Sequence, residues 1–121
     1  MKMIENILIL IVALLHFYFL ILEMFLWTKP KGLKTFGMTK EYANQSKVLA
    51  ANQGLYNGFL AAGLLWSIVE NNIDIAHPLK VFFLVCVIIA GSYGAYTTKK
   101  LMLFYIQSVP AILALAFVIL N

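Results

Sequence analysis

Four apolar stretches decide what this chain can become: Ile4 to Trp27, Val48 to Val69, Leu79 to Thr98 and Leu101 to Leu120, each close to the roughly 20 residues that cross a hydrocarbon core. In lipid every backbone polar group has to be satisfied within the chain, so only helices and closed barrels span it. A barrel needs strands of about ten residues that alternate in polarity, and these runs do not alternate. The sequence therefore predicts an all-α fold, a polytopic four-transmembrane-helix bundle. Its helices are expected over 4–27, 48–69, 79–98 and 101–120, with a cytoplasmic loop over 28–47, all in one membrane domain covering 1–121. With 63% hydrophobic and 12% charged residues, the 121-residue chain has no room for a soluble domain. The first run begins like a signal peptide but continues to Trp27 without a small-residue cleavage site, and reads as a retained span.

Lysines set the expected orientation, because cytoplasmic loops are enriched in positive charge. Lys29, Lys31, Lys34, Lys40 and Lys47 between spans one and two, with Lys99 and Lys100 between spans three and four, make seven on one side against Lys2 and Lys80 on the other. Both termini are then outside, and the protein is expected to be a multi-pass component of the cell membrane. The positive balance comes from lysine alone, without arginine forks, which excludes a nucleic-acid reader. Cys86 is the sole cysteine, so neither an intramolecular disulfide nor a cysteine metal cluster is available. No metal site and no cofactor is predicted. The 28–47 segment holds the helix breakers Pro30, Gly32 and Gly37, followed by Thr39 as an N-cap for a helix running into span two.

Polar residues inside apolar runs carry the functional reading. On span one, Glu5, His16 and Glu23 fall within about 20° of one another at 100° per residue, with Trp27 about 40° from Glu23. Glu5 is near enough to the outer surface to be solvated. Glu23 lies about 6 Å inside the cytoplasmic end, where an ionisable group has to face protein or a wet cavity. It is either a carboxyl hydrogen-bonded between helices or a ligand or proton site, and His16 is either an interhelical hydrogen-bonder or a ligand. Span two carries Asn52, Gln53 and Asn57 beside Ala50, Gly54, Gly58 and Ala62, small residues at every fourth position that let helices approach closely. Asn52 projects to nearly the opposite side from Gln53 and Asn57. Span three adds Cys86, Tyr93 and Thr97 on one face, with Gly91 and Gly94 as close-packing positions. Span four adds Gln107, Ser108 and Pro110, which cannot donate to the carbonyl of Ile106. Measured inward at 1.5 Å per residue, Asn52, Gln53, Tyr93 and Gln107 lie about 6 to 9 Å deep, level with Glu23. The outer half is nearly featureless by comparison. A polar layer open to one side suits a binding pocket rather than a channel, and a hydrogen-bond network that specifies the bundle is the competing explanation.

Glu23-Met24-Phe25-x-Trp27, Asn52-Gln53-Gly54-Leu55-Tyr56-Asn57-Gly58, Ala90-Gly91-x-Tyr93-Gly94-Ala95-x-Thr97 and Gln107-x-x-Pro110-Ala111 together resemble a family of small bacterial integral membrane proteins known only as a domain of unknown function. The resemblance covers essentially the whole chain and implies four membrane helices, with no established reaction, substrate or cofactor. One departure is Ser108, where the family pattern favours Gly after the glutamine.

Four functions compete. The first is a protein that binds a small or lipidic amphiphile, with ligand-binding residues Glu23, Trp27, Asn52, Gln53, Asn57, Tyr93, Thr97 and Gln107. The second is a proton-coupled exporter, weakened because the glutamate neighbourhood of small multidrug-resistance transporters does not surround Glu23. An enzyme using Glu23 or His16 as base lacks a nucleophile–base pair, and no catalytic residue is assigned. The fourth is a structural, membrane-stabilising protein. Expected partners are membrane lipids and a second copy meeting through Gly54 and Gly58.

Overall fold

A computed structural model describes residues 2–121, and every regular element among them is helical. In chain order these are α1 (Lys2–Met24), α2 (Pro30–Phe36), α3 (Lys40–Val69), α4 (Ile73–Thr98), α5 (Leu101–Leu103), a π-helical turn over Phe104–Ser108, and α6 (Val109–Leu120). Three stretches are long and apolar enough to cross a membrane: Lys2–Met24, Ile73–Thr98 and the continuous Leu101–Leu120. The fourth expected span is not among them. It lies within α3, which has 30 residues, but Asn52, Gln53 and Asn57 dilute its apolar half.

The first helix ends at Met24 instead of Trp27. The N–H groups of Phe25 and Leu26 both turn to the Ile21 carbonyl, at 3.0 and 3.1 Å, so the helical turn loosens and Trp27 leaves the α1 register. The segment expected as a loop over 28–47 is largely helical. Pro30 sits at the start of α2, where its missing N–H would have been unpaired anyway. Gly37 closes α2 in the left-handed region at φ 62° and ψ 43°, and the N–H groups of Gly37 and Met38 both reach the Leu33 carbonyl. Thr39 Oγ1 accepts from the Tyr42 N–H at 3.1 Å as α3 begins.

The helices form two compact units, one gathering the chain up to Leu15 with Leu60–Asn121, the other being His16–Phe59. In the first, Ile9 and Val12 from α1, Leu64 from α3, Leu84 and Val87 from α4, and Ala114 and Val118 from α6 make the buried core. The ring of Phe83 lies against Gly63. Gly91 packs on Ser108, and a Cβ there would stand 2.9 Å from the Gln107 Cβ. Gly94 has room, its nearest neighbour being Leu103 Cδ1 at 3.9 Å. Buried Ser108 donates through Oγ to the Ile88 carbonyl at 3.0 Å, so its hydroxyl is satisfied across the hairpin. The hairpin turns at Lys99, in the left-handed region at φ 58°.

The same unit corrects the expectation that Glu5 is solvated. Glu5 shares one helical face with Ile9, Val12 and Ala13, and the core that buries them turns it inward as well. Its Oε1 accepts from Lys80 Nζ at 2.7 Å, and its Oε2 from Asn121 Nδ2 at 2.7 Å. Lys80 Nζ also donates to Asn6 Oδ1 at 3.0 Å. Lys80, counted above as a membrane-flanking charge, is therefore a buried partner with 4% of its side chain exposed.

Along α3, Ala50, Gly54, Gly58 and Ala61 are buried while Ala62 is exposed. A strict four-residue step drifts about 40° per repeat on an α-helix, so by the third repeat the buried face has moved to Ala61. Ala62 is therefore not buried against another helix of this chain.

Candidate functional site

The His16–Phe59 unit brings the end of α1 against the amide-rich part of α3. Glycine makes the approach possible. A Cβ at Gly54 would stand 2.7 Å from Met24 Cγ, 3.0 Å from Glu23 Cβ and 3.2 Å from the Leu20 carbonyl oxygen, and one at Gly58 would meet the Leu20 side chain at 2.6 Å. With no Cβ at either position, the α3 backbone lies directly on the face that carries Glu23.

Gln53 and Asn57, four residues apart and so on one face of α3, reach the carboxyl group. Gln53 Nε2 donates to Glu23 Oε2 at 3.0 Å, and Asn57 Nδ2 donates to Glu23 Oε1 at 2.6 Å. Glu23 itself is 5% exposed. Each oxygen thus has one neutral donor and keeps further lone-pair capacity.

Beside the carboxyl opens a cleft of about 350 Å³. Glu23, Trp27, Thr28, Lys47 and Asn52 supply its polar lining, and Met24, Phe25, Val48 and Ala51 its apolar wall. Trp27 is held from two directions. Its Nε1 donates to Ser46 Oγ at 3.0 Å, and its ring packs on Phe36 with centroids 4.9 Å apart and planes tilted by 46°. Ser46 Oγ in turn donates to the Tyr42 carbonyl at 2.8 Å. Gly32 lets α2 close on this corner, since a Cβ there would stand 2.8 Å from the Trp27 carbonyl oxygen.

Of the expected binding residues, Glu23, Gln53 and Asn57 meet by hydrogen bonds, and Trp27 and Asn52 line the adjoining cleft. Asn52 is exposed and its amide donates to its own helix, to the Val48 carbonyl at 2.9 Å. The remaining three lie in the other unit. Tyr93 is exposed, and the Thr97 hydroxyl is turned back to the Tyr93 carbonyl at 2.9 Å. Gln107 is half-buried beside Gly91. Depth along separate helices gives a common level, but it does not say which side of each helix faces inward. Buried His16 packs edge-on against Phe19, with centroids 5.5 Å apart.

Sequence reasoning missed Lys47, Thr28 and Ser46. Ser46 had a signal, standing midway between Ala43 and Ala50 on the buried stripe of α3. It also missed the Glu5–Lys80 pair, although both residues had been assigned to the same outer end of the bundle.

The model of a family described as "Protein of unknown function (DUF1304)" matches residues 10–119 of the chain. The uncharacterized protein YpaA of Lactococcus lactis subsp. lactis is 34% identical over 102 residues, a match covering 83% of this chain and 84% of that protein. No solved structure matches.

Proposed function

The chain belongs to the DUF1304 family of proteins of unknown function, and from the cleft beside Glu23 we propose that it is a non-catalytic protein of the cell membrane that binds a small or lipidic amphiphile. In this reading the protein is multi-pass, α3 supplies the second of four spans, and the lysine-rich segments face the cytoplasm. The amides that make α3 too polar to stand alone in lipid are those that engage Glu23 or border the cleft.

One observation carries the proposal: a single cleft joins a buried carboxyl, a lysine and two polar side chains to an indole and an apolar wall. A cavity of mostly apolar surface with a few convergent polar groups is the usual form of a small-molecule site, and this combination matches a polar head joined to a hydrocarbon tail.

A second reading has its own support. Both Glu23 oxygens are engaged by α3, so the carboxyl also acts as a fastener between two helices, as expected of a structural protein. Glu23→Gln separates the two. Amphiphile binding predicts a folded variant that loses the molecule copurifying with wild type, measured by mass spectrometry per mole of folded protein. A purely structural role predicts a lower melting temperature in detergent with that content unchanged.

A further inference from the structure

Two carboxylates are buried in this protein, and the chain treats them differently. Glu5 is met by the ammonium of Lys80 at 2.7 Å. Glu23 is met by two neutral amides. A buried carboxyl group is costly to ionise unless a positive charge compensates it, and otherwise holds a proton. Gln53 and Asn57 supply one hydrogen bond to each oxygen but no positive charge, and Glu23 is among the residues that line the cleft.

The same cleft carries an opposite charge at its rim. Lys47 is exposed and lines it together with Glu23, while Phe25 and Val48 give it apolar surface. A simple cation would be drawn to Glu23 but repelled by Lys47, and a simple anion the reverse. A headgroup with both charges complements both residues. From this complementarity we propose that the occupant is a zwitterionic phospholipid with a primary ammonium, a phosphoethanolamine lipid. Its ammonium sits on Glu23, its phosphate on Lys47 and its acyl chain against Phe25 and Val48.

A primary ammonium fits better than a quaternary one. It has three N–H groups to direct at the Glu23 oxygens and at Asn52 Oδ1, which remains an acceptor because Asn52 donates through Nδ2. A quaternary ammonium donates nothing and relies on a cage of aromatic faces. Trp27 is the one indole in the cleft, and Phe36 packs against its ring.

The inference rests on the amphiphile reading and names its headgroup, so its test separates the two. The full chain is equilibrated in detergent micelles doped with equal amounts of phosphatidylethanolamine, phosphatidylcholine and phosphatidylglycerol of identical acyl chains, and retained lipid is read by native mass spectrometry. Phosphatidylethanolamine is expected to be retained about tenfold over the other two, the ratio that loss of one charge-assisted contact of about 1.4 kcal/mol would give. Glu23→Gln removes that preference, and Lys47→Gln lowers retention of phosphatidylethanolamine and phosphatidylcholine alike. Lys47 is exposed, so its variant tests the phosphate contact even where Glu23→Gln fails to fold. Wild type offered mono-, di- and trimethylated phosphatidylethanolamine should bind each less than the last. Preference for phosphatidylglycerol, indifference to methylation, or unchanged retention in folded Glu23→Gln or in Lys47→Gln overturns the headgroup assignment and leaves the amphiphile reading standing. Wild type that retains none of the three lipids, and with which no amphiphile copurifies, overturns both.

Discussion

Lys80→Met removes an ammonium from the interior while keeping a long side chain in its place. Lys80 Nζ is 2.7 Å from Glu5 Oε1, with 4% and 8% of the two side chains exposed. Unit charges at that separation attract by about 6 kcal/mol at an effective dielectric of about 20. Desolvation of both ions offsets much of this, so the intact pair contributes little net stability. The single substitution is another matter, because Glu5 stays buried with Asn121 Nδ2 as its remaining donor and Asn6 Oδ1 loses its donor as well. Stranding one member of a buried pair costs about 3–5 kcal/mol, and we expect a loss near the lower bound. Glu5→Gln combined with Lys80→Met should recover at least about 2 kcal/mol of it, since no buried charge then remains unpaired. Equilibrium unfolding in mixed micelles of rising sodium dodecyl sulfate content, followed by tryptophan fluorescence, measures both values. A loss below about 1 kcal/mol for Lys80→Met, or a double variant as unstable as the sum of the singles, refutes the reasoning.

The two glycines of α4 should respond in opposite directions to the same change. Gly91→Ala pushes a methyl toward the Gln107 Cβ at 2.9 Å and should lower stability by about 1–3 kcal/mol, whereas Gly94→Ala meets only Leu103 Cδ1 at 3.9 Å and should be neutral or raise it by up to about 1 kcal/mol; thermal melts in one detergent compare them. Asn57→Leu removes the donor at 2.6 Å from Glu23 Oε1 and should cost about 1–3 kcal/mol in the same unfolding assay. Asn52→Leu, whose amide donates within its own helix, should stay within about 0.5 kcal/mol of wild type, and equal losses for the two asparagines would contradict the site geometry.

Much of the helical content was legible in apolar run length, because lipid leaves the backbone few alternatives. Helix α2 was less so. Pro30, Gly32 and Gly37 read as breakers when taken one at a time, yet in place they are the first residue, the close-contact residue and the terminating cap of one short helix. Part of the site was legible for a similar reason. The spacing of Gln53 and Asn57 fixes one face of α3, and the Glu23 carboxyl is what that face meets. Tyr93 and Gln107 were grouped with them on depth alone, with Thr97 added as a residue on the Tyr93 face, and depth carries no information about rotation around a helix axis. Lys80 was misread because a lysine near a span end normally extends to the headgroups. Here Glu5 and Asn6 supply acceptors within the protein, and the side chain turns to them instead.

The wide turn over Phe104–Ser108 acts as a phase shifter. There the Val109 N–H reaches back five residues to the Phe104 carbonyl, so the chain absorbs one residue more than a regular turn holds. Excising a single residue from this stretch would restore ordinary winding and keep the faces on either side in phase, whereas straightening the turn with all its residues kept would rotate everything beyond it by about 100°. In that straightened form Ala111, Ala114 and Val118, all buried, would turn off the face they now occupy. Length changes along this helix are therefore not equivalent: one residue removed at the wide turn leaves the seam of the hairpin in register, whereas one removed from the regular winding well beyond it would turn the buried face while leaving its hydrophobicity untouched.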